Sequence, residues 1–151
     1  MQIATVSRSE ADKVYVVARE NAAEEILAGE VCEFVATATD ADQGYKVQVV
    51  NTAINATTGI GAKVAGVAET TISTDAVGRL QVYGPANVRA SASIIAGRMV
   101  VASSINATNI GHVTTAVLTT TTAADYHGAI VGWTLENGPN ATNATVQLTI
   151  L

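Results

Sequence analysis

Two histidines and one aspartate come closest, in this 151-residue chain, to forming a catalytic or metal site. One residue separates Asp125 from His127, and His112 lies upstream of both. Imidazole and carboxylate groups can bind zinc or exchange protons. Two histidines are nevertheless too few for the usual three-ligand catalytic zinc unless a carboxylate joins them from elsewhere, and both lie in segments typical of turns. The pattern favours ordinary turns, with a metal-dependent hydrolase as the less favoured alternative.

Three other features lack the residues that their chemistry would need. Residues 59–63 (Gly-Ile-Gly-Ala-Lys) have no third glycine of a nucleotide-binding fingerprint, and a predicted strand rather than a helix follows them. Residues 40–44 (Asp-Ala-Asp-Gln-Gly) have no terminal glutamate to complete a calcium loop. Cys32 is the only cysteine, which excludes an internal disulfide, and its apolar neighbours predict a small buried side chain. We therefore predict no enzyme activity and no catalytic, cofactor-binding or metal-binding residue.

Short β-branched runs, separated by turns rich in glycine, asparagine, aspartate and threonine, dominate the chain and indicate an all-β fold. Nine runs predict strands, at 14–18, 31–37, 45–50, 64–69, 79–83, 99–102, 113–118, 129–135 and 145–151. A helical turn is allowed near 22–27, ahead of Gly29. The predicted fold is a compact β-sandwich or barrel-like domain over residues 13–151. An extended N-terminal arm, residues 1–12, precedes it.

A faint internal repeat divides the predicted domain. Residues 26–31 resemble residues 94–99, 68 positions later. Two further pairs of segments match at an offset of 66, namely 63–67 with 129–133 and 80–82 with 146–148. Three matches in the same order favour two related β units of about 67 residues, at about 26–83 and 94–150.

The composition favours association with other proteins. Hydrophobic residues make up 48% of the chain, but aromatic residues only 4%. Since aromatic side chains bury large areas, a core of alanine and valine is less stabilising, and burial between subunits would compensate. Only 14% of residues are charged, against about a quarter in typical soluble domains. We predict that the protein is not a monomer.

Charge and hydropathy exclude two classes of partner. A formal net charge of −5 repels phosphate backbones, and no cluster of lysine and arginine overrides it, which argues against nucleic-acid binding. Arg79, Arg89 and Arg98 are predicted to lie singly near strand ends. No run of 18 apolar residues predicts a membrane span, and the N-terminus does not have the pattern of a secretory signal. Synthesis in a cytoplasm is expected.

A carbohydrate-binding surface is a second alternative. Trp133 and the four tyrosines would provide a sugar platform if they clustered on an exposed face. This would suit a receptor- or glycan-binding β module of a fibre or surface protein. Because Trp133 lies in an apolar strand, we predict instead that it belongs to the core.

Four segments carry a resemblance to a known family. They are residues 63–69 (Lys-Val-Ala-Gly-Val-Ala-Glu), 78–85 (Gly-Arg-Leu-Gln-Val-Tyr-Gly-Pro), 95–97 (Ile-Ala-Gly) and 128–136 (Gly-Ala-Ile-Val-Gly-Trp-Thr-Leu-Glu). This pattern resembles small capsid decoration (cement) proteins of tailed bacteriophages. The resemblance implies a non-enzymatic β-rich subunit, commonly a homotrimer. It would sit on the outer capsid surface of the virion and clamp neighbouring subunits of the major capsid protein.

Overall fold

The computed structural model describes residues 12–21, 24–35, 45–49, 64–103, 111–116, 130–138 and 143–150. These residues form nine strands and no helix. The strands are β1 (Val14–Glu20), β2 (Val31–Phe34), β3 (Lys46–Val49), β4 (Val64–Ala68), β5 (Val77–Arg89), β6 (Met99–Ser103), β7 (His112–Thr115), β8 (Ile130–Thr134) and β9 (Asn143–Thr149). The predicted all-β class is confirmed, and each of the nine predicted runs overlaps one strand. The predicted arm, apart from Asp12, lies outside the described residues.

The allowed helical turn near 22–27 is wrong for the part that the structure describes. Ile26 forms an isolated antiparallel bridge with Ile72. Its N–H donates to the Ile72 carbonyl at 3.0 Å, and its carbonyl accepts from the Ile72 N–H at 2.8 Å. Both backbone groups of Ile26 are thus committed to a distant segment, so they cannot close a helical turn.

The first five strands form a closed barrel, in the order β1, β3, β2, β4 and β5, with β1 pairing back onto β5. The β1–β3 pair is parallel, and the other pairs of this ring are antiparallel. We call this ring the first unit. Closing the ring leaves no free edge among these strands, so the barrel-like form of the predicted fold is the one observed.

Strand β5 continues beyond the first unit and begins a second one. From Tyr83 to Arg89 it pairs with β9, and the order continues through β8 and β6 to β7. A parallel bridge between Ala90 and Val113 brings β7 back to the end of β5. We call residues 84–91 with β6–β9 the second unit. The 13-residue β5 therefore serves both units, and it changes partners near Gly84, whose φ of 92° favours glycine.

The strand pairing repeats from one unit to the next at the spacing of the sequence repeat. Cys32 pairs with Gly66 in the first unit, and Val100 pairs with Gly132 in the second. These positions differ by 68 and 66 residues, and a register shift follows each pair. The Ile26–Ile72 bridge likewise corresponds to a bridge between Ile94 and Gly138. Both units thus share a bulge and a bridge at matching places.

The described residues form two clusters of buried side chains. The first lies in the first unit and contains Ala18, Ile26, Cys32, Val47, Val49, Ala65, Ala68, Ile72 and Leu80. The second contains Val88, Val100, Val113, Val131, Val146 and Leu148 of the second unit, among others. It also contains Val31 and Val67, which belong to strands of the first unit. The two units therefore pack against each other through these valines. Among the described residues no helix could span a bilayer.

Candidate functional site

The sequence pointed to His112 as a possible metal ligand or acid–base group. It is the first residue of β7 and is half-buried. Burial, with a smaller contribution from the positive charge of Arg89, lowers the pKa of His112 below its usual value. Its Nδ1 atom is buried without a hydrogen-bond partner in the described structure. Asp125 and His127, the other members of that candidate site, lie outside the described residues, as do residues 40–44 and 59–63. Within the described part, no three metal-ligating side chains come together.

Cys32 is a buried structural residue, as the sequence predicted. Its side chain is fully buried in the first unit, and its thiol lies 3.8 Å from the Glu30 carbonyl oxygen. Burial raises the pKa of the Cys32 thiol far above its usual range. The thiol therefore stays protonated at neutral pH and is a poor nucleophile.

The carboxylates that the structure describes near β1 hold backbone turns. Glu20 is fully buried, and its Oε2 accepts the Asp75 N–H at 2.6 Å. The Arg19 guanidinium contacts the Asp75 carboxylate at 2.8 Å. Asp75 has a φ of 60°, an uncommon value for a residue with a side chain. These contacts fix the turn before β5, so we assign them a structural role.

Arg79 and Arg89 differ from the prediction that they lie singly. Arg79 makes a 2.6 Å ion pair with Glu69 and lies over the Tyr15 ring, 5.2 Å from its centroid. Arg89 is 3.7 Å from the Glu30 carboxylate, and its Nε donates to the Ala28 carbonyl at 3.2 Å. Strand pairing brings these partners together from distant segments, which sequence spacing does not reveal.

The two units join at residues 29–31, which insert at the seam between the end of β5 and β7. The Arg89 N–H donates to the Gly29 carbonyl at 2.9 Å, and the Val31 N–H donates to the Gly111 carbonyl at 2.7 Å. Glu30 lies between these bonds with only 7% of its surface exposed. Its burial raises the pKa of Glu30, and the hydrogen bond from the Leu27 N–H and the charge of Arg89 partly oppose this shift.

The surface of the second unit that corresponds to this junction is exposed and apolar. Met99 occupies the position of Val31, and Trp133 that of Val67, since Met99 pairs with Trp133 as Val31 pairs with Val67. Trp133 is 49% exposed, and Leu135 and Ile95 are 53% and 58% exposed. We call Ile95, Met99, Trp133 and Leu135 the Trp133 face. The prediction that Trp133 belongs to the core is wrong, because its strand turns this side chain outward.

An apolar cavity opens at one end of the first unit. Its volume is about 280 Å³, and its lining includes Val16, Val17, Phe34, Val64 and Ile150. Val16 and Val17 are themselves 38% and 60% exposed. The lining offers few polar groups to orient a substrate, in contrast to most small-molecule sites. This lining is therefore suited to apolar contact rather than to orienting a polar ligand.

Comparison with known proteins identifies a relative in fold. The fold resembles that of a phage head fiber base. The matching crystal structure is that of the head fiber gp8.5 N base in bacteriophage phi29, and this chain superposes on it with a TM-score of 0.55. The likeness covers 91% of this chain and 94% of that chain at 13% sequence identity. No protein-family model and no curated protein sequence matches. At this identity the likeness shows a shared fold.

The Trp133 face is the feature that sequence reasoning missed, although the repeat contained a clue to it. Aligning the two halves at an offset of 66 places Leu135 opposite Glu69 and Trp133 opposite Val67. Glu69 is half-buried and paired with Arg79. A position that is charged in one unit and apolar in the other indicates a surface with a different neighbour in each unit.

Proposed function

We propose that this chain is a structural protein of a tailed-bacteriophage virion. As a homo-oligomer, in our proposal a trimer, it decorates and stabilises the capsid by binding between neighbouring subunits of the major capsid protein. It acts on the outer capsid surface after synthesis in the host cytoplasm. It works by binding alone, without enzyme activity or a cofactor, and neither nucleic acid nor membrane is its partner.

The observation that carries this proposal is the likeness in fold to the head fiber base of phi29 over nearly the whole length of both chains. A match over 91% and 94% of the two chains involves the complete arrangement of both units rather than one shared hairpin. Fold alone does not dictate function, so the surface must support the same role.

The described surface supports a binding role. Several large apolar side chains are more than a third exposed, among them Val17, Val77, Trp133 and Leu135. Exposed apolar surface is typical of protein interaction sites. The resemblance of residues 63–69 and 128–136 to capsid decoration proteins points the same way.

The proposal is tested on virions of the phage that encodes the chain. We expect the protein to co-purify with virions at a fixed copy number per capsid and to appear on the outer head surface by cryo-electron microscopy. Particles lacking it should release DNA at a lower temperature, and adding back the purified protein should restore the wild-type temperature. Purified virions that do not contain the chain would refute the proposal.

A second candidate function is a receptor- or glycan-binding module of a fibre. It is favoured by the structural neighbour, which is itself part of a head fiber, and by the exposure of Trp133. Glycan-array binding that is lost in Trp133→Ala, with virion heads of unchanged stability when the protein is absent, would favour this candidate over capsid decoration.

A further inference from the structure

The Trp133 face has a counterpart inside the chain that is covered. Val31 and Val67 correspond to Met99 and Trp133, and both valines are at most 1% exposed because they pack against the second unit. Trp133 itself is 49% exposed. The centre of this face, at Val31 and Val67, is thus buried in the first unit, whereas Trp133 at the corresponding place in the second unit is half-exposed and Met99 is half-buried.

The glycine turn beside this face shows the same contrast. A Cβ atom on Gly29 would lie 3.1 Å from the Asn87 carbonyl oxygen and 3.5 Å from Arg89, because the second unit covers the turn. A Cβ atom on the corresponding Gly97 would meet nothing within 4 Å. The second unit therefore covers the turn at Gly29, whereas the corresponding turn at Gly97 has space for a neighbour.

Another copy cannot cover the face simply by continuing the repeat. At the seam of the second unit, Gly111 has no room for a Cβ atom, because the side chains of Val49 and Glu30 fill the space. In the first unit Tyr45 stands at the corresponding place, and its carbonyl accepts the Arg19 N–H at 3.0 Å, which closes that seam. The first unit of another copy therefore cannot accept residues 97–99 as the second unit accepts 29–31. Among the described residues, this argues against stacking in which each copy repeats the contact between the two units.

We propose that the Trp133 face is the contact between copies of this chain, with the faces of the three copies gathered around the rotation axis of the proposed trimer. This inference rests on the proposed homo-oligomer and names the surface that forms it. Charges beside the face also favour another copy of this chain as its partner. Arg98 replaces Glu30 at the corresponding position, and Glu136 follows Leu135; both are exposed. In a symmetric arrangement in which Arg98 of one copy meets Glu136 of the next, these opposite charges make the surface complement itself.

Trp133 is the only tryptophan, so its fluorescence reports directly on this contact. Light scattering should give a mass that is a multiple of the 15.4 kDa chain. On dilution to the single-chain mass, the emission of Trp133 should shift to longer wavelength as water reaches the indole. If the oligomer and the single chain had the same Trp133 emission and the same quenching, the proposal would be overturned. A single-chain mass at high micromolar concentration would also overturn it.

Variants identify the surface independently. Trp133→Gln should give the single-chain mass at concentrations where the wild type is oligomeric, whereas Val17→Gln, at a position 60% exposed on the first unit, should remain oligomeric. Arg98→Glu and Glu136→Arg should each weaken association at least tenfold, and the double variant should recover most of it. Circular dichroism checks that each variant is folded. If Trp133→Gln does not fold, the two charge variants decide the question.

Two outcomes separate this inference from the proposed function. A single chain that still binds virion heads would overturn the contact between copies and leave the capsid role standing. An oligomer that depends on Trp133 but never associates with virions would support the contact between copies and overturn the capsid role. An unchanged mass in Trp133→Gln and in both charge variants would place the contact elsewhere on the chain.

Discussion

Glu30 carries a carboxylate into the junction between the two units, where burial disfavours its charge. Its side chain is 10% exposed, and the Arg89 guanidinium at 3.7 Å is its ion-pair partner. Burial has the larger effect, so the pKa of Glu30 is raised despite that partner. Replacing one partner of a buried pair usually destabilises a protein, but here the neutral form of Glu30 already suits its surroundings.

This raised pKa predicts a pH dependence of stability. The folded state keeps the Glu30 proton to a higher pH than the unfolded chain does. The free energy of unfolding therefore falls as pH rises from the ordinary glutamate pKa, about 4.3, through the raised value. Glu30→Gln has no proton to lose and should lack this fall, which urea midpoints at a series of pH values would measure. Glu136→Gln, at an exposed site, controls for the lost charge. Equal slopes in Glu30→Gln and wild type would contradict the assignment.

A second prediction at this scale concerns metal binding through His112. We expect no stoichiometric zinc in the purified protein, because His112 is half-buried and Arg89 adds positive charge nearby. Elemental analysis after dialysis against zinc measures this directly. If zinc bound at one equivalent per chain and His112→Ala or His127→Ala removed it, the hydrolase alternative would gain support over the structural role.

At the scale of the elements, Gly84 allows one strand to serve two units. Its φ of 92° disfavours side chains, and a Cβ atom there would collide with the Asp12 carbonyl. Gly97 has a similar φ of 73° but space around it. A substitution at Gly97 therefore measures backbone strain without steric collision.

We expect Gly84→Ala to lower the free energy of unfolding by more than about 2 kcal/mol, since backbone strain and the collision add. In the single chain, Gly97→Ala should cost about 1 kcal/mol, which is the strain alone. Chemical denaturation of both variants compares the two costs. Equal losses would show that Asp12 moves aside freely and that close packing at Gly84 does not matter.

At the scale of the whole molecule, the two units should unfold together. They share β5, and Val31 and Val67 of the first unit are buried in the cluster of the second. Leu80 and Leu148 are fully buried, one in each cluster, and they provide a matched pair of probes.

We expect Leu80→Ala and Leu148→Ala each to destabilise the chain by about 2–5 kcal/mol while leaving one cooperative transition. Thermal unfolding at concentrations where the chain is single, followed both by circular dichroism and by Trp133 fluorescence, tests this, because in the single chain the fluorescence reports on the second unit. Separate transitions by the two probes in Leu80→Ala would mean that the units unfold independently.

The pattern of side chains along the chain determined the strands and the burial of Cys32. Alternation of apolar and polar residues is a local property, so runs such as 46–49 and 145–150 predicted strands that the structure contains. The Ala-Gly motif recurs after 68 residues and the apolar-Gly-apolar motif after 66, and the strand pairing repeats at the same two offsets. A bulge or a turn depends on a few neighbouring residues, so the local sequence contains this signal.

Only the tertiary structure decided which apolar faces are covered. Val67 and Trp133 both follow the glycine of an apolar-Gly-apolar segment, yet one is buried by the second unit and the other is exposed. β5 also extends from the predicted 79–83 to Val77–Arg89, because β1 and β9 supply partners to its two halves. Burial and strand length depend on contacts between residues far apart in sequence, which local periodicity does not encode. The sequence therefore determined the all-β units, and their packing determined the exposed Trp133 face.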